Sequence, residues 1–384
     1  MRHTPNRRPR GGFTLVELLV ACALTVLIMA VLATAFQTGL STFSHLKSTV
    51  GLSEQLRAAE GVMRRDLEAT HLEDSDGVAL RVSDPRLTLI VPPATVPALT
   101  PSKGYLEVVQ GGNIGTAGFV SEGKEDGVDS YRATDHAVLF TSKLKGNSTA
   151  EVFYGIAPTP QFAPSLTDYV PANSPAELCA AEWAELGYFL KPSNVMTVSD
   201  DPTTAPPLQL YSLIRTQRLL APARVLLPVP PAMGATYAPK DWWDTYPETS
   251  ISTRPRPTPG PPPTLVPDAN INDASSVTDR NNRSYIVFTP PTPLPGYVPT
   301  FTLQQAQGGT KGTDILVTNV VSMQVRVMGT NGKYTDQLPA NANGNGNVLD
   351  TSSPGGQMRA IQIKLRVYDT KNHLTRQITM SFDL

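Results

Sequence analysis

The chain has 384 residues, enough for one or two domains with a sizeable core, and 32 Lys plus Arg against 33 Asp plus Glu leave a formal charge of −1. That balance removes any global electrostatic case for an anionic surface or nucleic acid, so no nucleic-acid partner is expected. Two cysteines cannot build a metal cluster or a disulfide framework, while 36 prolines, 28 glycines and 17% charged residues point to a loop-rich, β-leaning body.

The first element is a basic leader, residues 1–12, with Arg2, Arg7, Arg8 and Arg10 and no acid before Glu17. An apolar run follows, and Leu18 to Phe36 carries no charge at all. Counted from Phe13, this segment makes roughly 36 Å of helix, enough to span a bilayer core. The basic flank puts its N-terminal end in the cytoplasm and the bulk of the chain across the membrane. Cys22 lies inside the run, which rules out a disulfide with Cys179 in an outer domain. Three readings compete. A plain single-pass anchor leaves Glu17 unexplained, since an ionised carboxylate in hydrocarbon costs about 2.5–3.5 kcal/mol. A conventional secretory signal would be cut after Ala33-Thr34-Ala35, leaving a chain that starts at Phe36. In the third, the cut falls after Gly12 and the whole helix is kept.

The stretch Gly12-Phe13-Thr14-Leu15-Val16-Glu17 resembles the class III signal of type IV pilins and type II secretion pseudopilins. The resemblance covers about the first 36 residues, and it implies that a membrane prepilin peptidase cuts after Gly12 and N-methylates the new amine of Phe13. It also implies that Glu17 is the family's near-terminal carboxylate, pairing with the amine of a neighbouring subunit as helices bundle into a filament. Opposite charges that would each be costly in lipid alone offset one another when paired. The competing account, in which Glu17 snorkels to the interface, explains its tolerance but not its place beside Gly-Phe.

Beyond the membrane segment, 13–36, no proline interrupts the chain between Pro9 and Pro85. Apolar residues recur at Leu40, Phe43, Leu46, Val50, Leu56, Ala59, Met63 and Leu67, mostly at three- or four-residue steps. The spacing predicts that the helix continues amphipathically over 37–70, with its second half packed on a β domain. From Phe13 to Ala69 it would be on the order of 85 Å long. Gly39, Gly51 and Gly61 each weaken it by up to about 1 kcal/mol relative to alanine, and permit bending or close packing on a sheet.

Residues 71–384 read as an antiparallel β head with long loops. Short apolar or alternating runs occur at 86–91, 105–110, 136–144, 151–156, 184–190, 208–220 and 285–289, separated by Pro, Gly, Asn and Asp clusters. The cleanest alternation is C-terminal: Val321, Met323, Val325 and Val327; then Ile361, Ile363, Leu365 and Val367; then Ile378, Met380 and Phe382. These predict a three-stranded meander on the helix, and the fold class is α+β. A proline-dense stretch, 247–268, and a Gly/Asn-rich stretch, 329–356, are expected to be exposed loops that bury no core.

Within the pilin group, "AELGYFLKPS" and "LQLYSLIRTQRLL" look like the paired central strands of J-type minor pseudopilins and W-type minor pilins, and the terminal strands look similar too. The two long insertions depart from that pattern. Chemistry is otherwise absent. "GFVSEGKE" imitates a phosphate loop but puts Glu125 where a magnesium-binding hydroxyl belongs, and Asp126-Gly127 turns the chain instead of opening a helix. The five histidines lack metal-ligand spacing, Asp135-His136 reads as a solvated strand start, and Asp74 with Asp76 reads as an acidic turn rather than a calcium loop, because Pro85 stands where the closing glutamate would be. No enzyme activity, cofactor or metal is expected. The resemblance implies a structural tip or priming subunit, inserted in the bacterial inner membrane with its head outside the cytoplasm. Its expected partners are the prepilin peptidase/methyltransferase, other pilins or minor pseudopilins, the inner-membrane assembly platform and membrane lipid. The reading from another class is an exported β-rich binding protein with a conventional signal.

Overall fold

The computed structural model describes residues 14–84, 87, 101–110, 120–125, 128–157, 178–196, 208–227, 246–257, 265–284, 286–287, 300–301, 313–329, 331–335, 338, 347–351, 358–370 and 374–384. Helix α1 spans Leu15–Leu67 and precedes a mostly antiparallel β head, the expected α+β arrangement. Glu17 sits in its first turn and Arg64 and Arg65 in its last, so charge complements the helix dipole at both ends.

The chain divides into two compact units that meet between Glu54 and Gln55. In the first, Leu40, Phe43, Leu46 and Val50 are exposed. In the second, Leu56, Ala59, Met63 and Leu67 are buried. The predicted stripe therefore becomes core only from Leu56 onward, where the sheet supplies an opposing surface. Burying a Leu or Met side chain contributes about 1.5–3 kcal/mol. A Cβ on Gly39, Gly51 or Gly61 would meet nothing within 4 Å, so none of the three packs closely on the sheet.

Eight strands make the main sheet: β1 (Leu106–Gln110), β2 (Ala137–Lys143), β3 (Trp183–Met196), β4 (Leu208–Leu219), β5 (Thr313–Met328), β6 (Asn347–Asp350), β7 (Ala360–Asp369) and β8 (Leu374–Asp383). Their order is β6-β1-β2-β3-β4-β5-β7-β8, with Tyr334–Thr335 adding a short ninth strand on β5. Every pairing is antiparallel. The predicted C-terminal meander is β5-β7-β8, in which Val325 pairs with Ile363 and Ile363 with Met380, all three buried. The two central runs pair as β3 and β4.

The sheet is covered on both faces. Side chains three apart on a strand point to opposite sides. Tyr188 on β3 donates its hydroxyl to Asp66 of α1 at 2.5 Å, while Glu185, three residues earlier, accepts from Ser250 at 2.7 Å on the far side. On the helix side Phe140 stacks on Tyr188, and Arg64 lies over the Phe382 ring, 5.5 Å from its centroid. On the far side Tyr105, Val109, Leu139, Phe189, Ile214, Ala274 and Val277 form a second core.

Both expected loops need correction in part. Within the proline-dense stretch, Ile251–Pro257 pairs with Leu265–Ile271, and Ile251 is fully buried. Pro255 and Pro257 stand two apart and Pro255 faces Pro267, so all three share one register class. Proline forfeits no ladder bond where that class is the non-hydrogen-bonded one. Within the Gly/Asn-rich stretch, β6 crosses to the far edge of the sheet and pairs with β1. The run at 86–91 lies almost wholly outside the described residues. The phosphate-loop imitation forms a hairpin, Val120–Glu125 with Val128–Arg132, which leaves Gly123-Lys124 on a strand.

Candidate functional site

Gly12 and Phe13 lie outside the described residues; the site begins at Thr14. Glu17 is the single acidic residue in the first turn of α1. The carboxylate of Glu17 accepts from the Thr14 backbone N–H at 2.9 Å and from its hydroxyl at 3.0 Å, and the Glu17 N–H donates back to Thr14 Oγ1 at 3.3 Å. This reciprocal pair is a capping box, Thr-x-x-Glu, with Thr14 as N-cap. It satisfies two of the four N–H groups that open any helix, a requirement that becomes severe in hydrocarbon. The Thr-x-x-Glu spacing was present in the sequence and is the signal that would have identified Thr14.

Around this cap the helix presents only apolar or self-satisfied groups. Leu15, Val16, Leu18, Leu19 and Val20 are all more than half exposed. The hydroxyls of Thr25, Thr34 and Thr38 donate to the carbonyls four residues earlier, which hides their polarity. Such a helix is long and apolar enough to cross a membrane, which suits inner-membrane anchoring. Both acceptors of the cap, Glu17 Oε2 and Thr14 Oγ1, lie within one turn, so a cut after Gly12 would leave the Thr14–Glu17 pair intact: the new amine would be on Phe13 and the Thr14 nitrogen would stay an amide.

A second cluster fixes the last turns of α1 to the head. Arg215 of β4 donates to both oxygens of Asp66, and Asp66 also accepts from Tyr188. Burial, followed by the Asp66 charge, drives the Tyr188 phenol well above its usual range. On the other face of the sheet, fully buried Arg283 makes a two-pronged contact with Asp350 of β6 at 2.9 and 3.0 Å, pairs with Glu107 of β1 and stacks on Tyr105, 3.7 Å from the ring centroid. Glu107 also accepts from Arg280 at 2.6 Å, so two guanidinium groups balance two carboxylates. Asp350 lies in the Gly/Asn-rich stretch expected to be an exposed loop, yet it is buried, and composition carries no sign of that.

His136 is likewise buried, 1% exposed, and is no solvated strand start. Its Nδ1 accepts from the Val325 N–H at 3.0 Å, which fixes the proton on Nε2. Burial pushes its pKa down to about 4. Asp74 caps the turn after α1, its Oδ1 accepting from the N–H groups of Asp76 and Val78. Among the described residues no group of three or more His, Cys, Asp or Glu is placed to hold a metal ion.

Compared with known families, residues 7–33 match the prokaryotic N-terminal methylation motif. No curated protein and no solved structure matches the chain.

Proposed function

We propose that this type IV pilin-like chain, marked by its methylation motif, is a minor pseudopilin: a structural tip or priming subunit of a type II secretion pseudopilus. In this reading prepilin peptidase cuts after Gly12 and methylates Phe13, and the chain then enters a filament through α1, from an inner-membrane assembly platform and alongside other pilins or pseudopilins. The observation that carries it is Glu17: one carboxylate, fixed by a capping box, at the head of an exposed apolar helix. An ordinary anchor could close the same capping box with a neutral glutamine, whereas a new amine at Phe13 supplies the countercharge that lowers the cost of a carboxylate in lipid. The head, with sheet faces covered on both sides, is bulky, which fits a few-copy tip component better than a repeated shaft subunit. A minor pilin at a type IV pilus tip uses the same residues in the same roles.

The first measurement is the mature N-terminus by mass spectrometry of protein from its native membrane. An N-methylated Phe13 is the expected result. A start at Phe36 would mean cleavage after Ala35 and would replace this reading with a released β-rich domain. In parallel, Glu17→Val is expected to abolish cross-linkable assembly while membrane insertion persists; assembly at wild-type yield would remove Glu17 from its role.

A further inference from the structure

His71 follows the last turn of α1, and both of its ring nitrogens face backbone carbonyls. Nδ1 is 2.7 Å from the carbonyl oxygen of Thr141 on β2, and Nε2 is 2.8 Å from that of Leu67, the last residue of α1. The residue is 4% exposed, and its ring meets Phe140 edge-on with centroids 5.0 Å apart. Its backbone is tied to the same strand. The His71 carbonyl accepts from the Thr141 hydroxyl at 2.8 Å, and the Lys143 N–H donates to the Thr70 carbonyl at 2.8 Å. One side chain thus spans the end of α1 and the sheet.

A carbonyl oxygen can only accept. A neutral imidazole has one N–H, so either tautomer would turn the lone pair of its other nitrogen onto a carbonyl oxygen at hydrogen-bonding distance, whereas an imidazolium donates to both. Burial pushes the ring's pKa down, and the two carbonyls and Asp66 push it up. The contacts decide between them. Burial penalises an ion for the water it loses, but here each N–H exchanges water for a carbonyl, and the Leu67 carbonyl stands at the negative end of the helix dipole. Among the described residues every cation near the ring is paired or exposed. On α1, Asp66 is bonded to Arg215 and Tyr188, Arg64 is balanced by Glu60 and Glu68, and exposed Arg65 turns to the Ala150 carbonyl. From β2 come Thr141 and Phe140, both neutral, and Lys143, which closes with Lys103 on Glu73. Exposed Arg81 and Arg359 share an open cavity of about 810 Å³ beside the ring with Asp383, so both signs are present there.

We infer that His71 is a cationic clasp: as an imidazolium it bonds the end of α1 to β2 through both ring nitrogens, and on losing a proton it lets one of the two ties go. The sign follows from linkage. The clasped ring holds its proton more tightly than the same ring in an unfolded chain. Its contribution to stability is therefore complete below about pH 6.5 and is lost as pH rises through the higher value of the folded state. The junction is locked in acid and at neutrality, and it loosens in alkali. His71 acts here as a positioning residue for the junction.

The test is the ring ¹⁵N spectrum of the full chain, labelled at histidine, in detergent micelles at about pH 8.5, where an ordinary histidine is only about 1% protonated. His3→Gln, His45→Gln and His373→Gln leave two rings to observe, and either His136→Asn or His71→Gln assigns them. His71 is expected to show both nitrogens protonated. His136, whose Nδ1 accepts from the Val325 N–H, is expected to be neutral beside it. A neutral His71 at that pH would overturn the clasp, and two neutral rings would do so without any assignment. The stability arm compares unfolding midpoints of wild type and His71→Gln. The gap between them is expected to shrink by several degrees from about pH 7 to about pH 9.5. A gap that stays constant or widens would also overturn the clasp. Where His71→Gln does not fold, the ring spectrum with His136→Asn decides.

Discussion

Arg215 grips Asp66 with two guanidinium nitrogens, Nε at 2.6 Å and Nη2 at 3.3 Å, and so joins α1 to β4 across 149 residues of chain. Asp66 is 4% exposed and Arg215 11%. Removing Asp66 leaves the largely buried Arg215 with only Gln217 at 3.1 Å and the exposed Asp314 at 3.4 Å. Asp66→Ala is therefore expected to lower stability by about 3–5 kcal/mol, whereas replacing both residues with apolar ones of similar size should cost far less. Thermal unfolding of the full chain in detergent, compared across the single and double variants, measures this directly. Equal losses in the two would contradict the account.

The cap at the head of α1 makes a smaller and more local prediction. Thr14→Val removes the hydroxyl that Glu17 uses on both sides of the box, while Thr14→Ser keeps it. Loss of an N-cap costs about 1 kcal/mol. Amide exchange of residues 14–18 in micelles should rise in the valine variant and stay near wild type in the serine one, with the 55–384 unit unaffected in both.

Gly104 is required by close approach as well as by its backbone. Its φ is +80°, and a Cβ there would lie 2.0 Å from the His71 carbonyl oxygen. Neither the left-handed conformation nor the backbone contact can be relieved by turning a side chain. Gly104→Ala is expected to cost more than about 3 kcal/mol, read as a fall in soluble yield and in the unfolding midpoint. The exposed Gly77, at φ +77°, has nothing within 4 Å of a Cβ, and alanine there should be far milder.

His136 predicts a defined acid limb. Its pKa is pushed to about 4 in the folded protein, below the ordinary value of 6.5, so the unfolded chain binds the proton more readily. Its contribution is complete above about pH 6.5 and is lost as pH falls toward 4, by up to about 3 kcal/mol. His136→Asn, which can still accept from Val325, should flatten the unfolding midpoint between those two pH values. A curve parallel to wild type would place the acid sensitivity elsewhere.

The strands were legible because their signal is local. Val321 to Val327, Ile361 to Val367 and Ile378 to Phe382 alternate in sequence, and from Met323 onward the alternation survives as a buried face of β5, β7 and β8. Ile378 is only half-buried, and Val321, beside a register shift at 320–322, clusters instead with Leu210 and Tyr368. The membrane-length apolar run and the place of Glu17 were equally plain. Asp350, Arg283 and His136 were not, because a buried ion pair or imidazole is defined by partners far along the chain: Arg283 meets Glu107 across 176 residues. Composition misled in the same way. Asn and Gly around residue 347 read as loop, yet four residues among them pair with β1, an edge where little side-chain preference is needed once the partner strand is in place.

The excursion of β6 also bears on the order in which the head can form. β5 and β7 are neighbours in the sheet, but the chain between them travels to the opposite edge, where Leu106 donates to Thr351 over a separation of 245 residues. During synthesis β1 emerges early and must wait, one edge unpaired, until almost the whole head has been made. Closing so distant a contact is slow, and an open strand edge invites wrong pairing in the interval. The nascent head is thus most vulnerable just before residues 347–351 arrive, a kinetic hazard that the finished fold conceals.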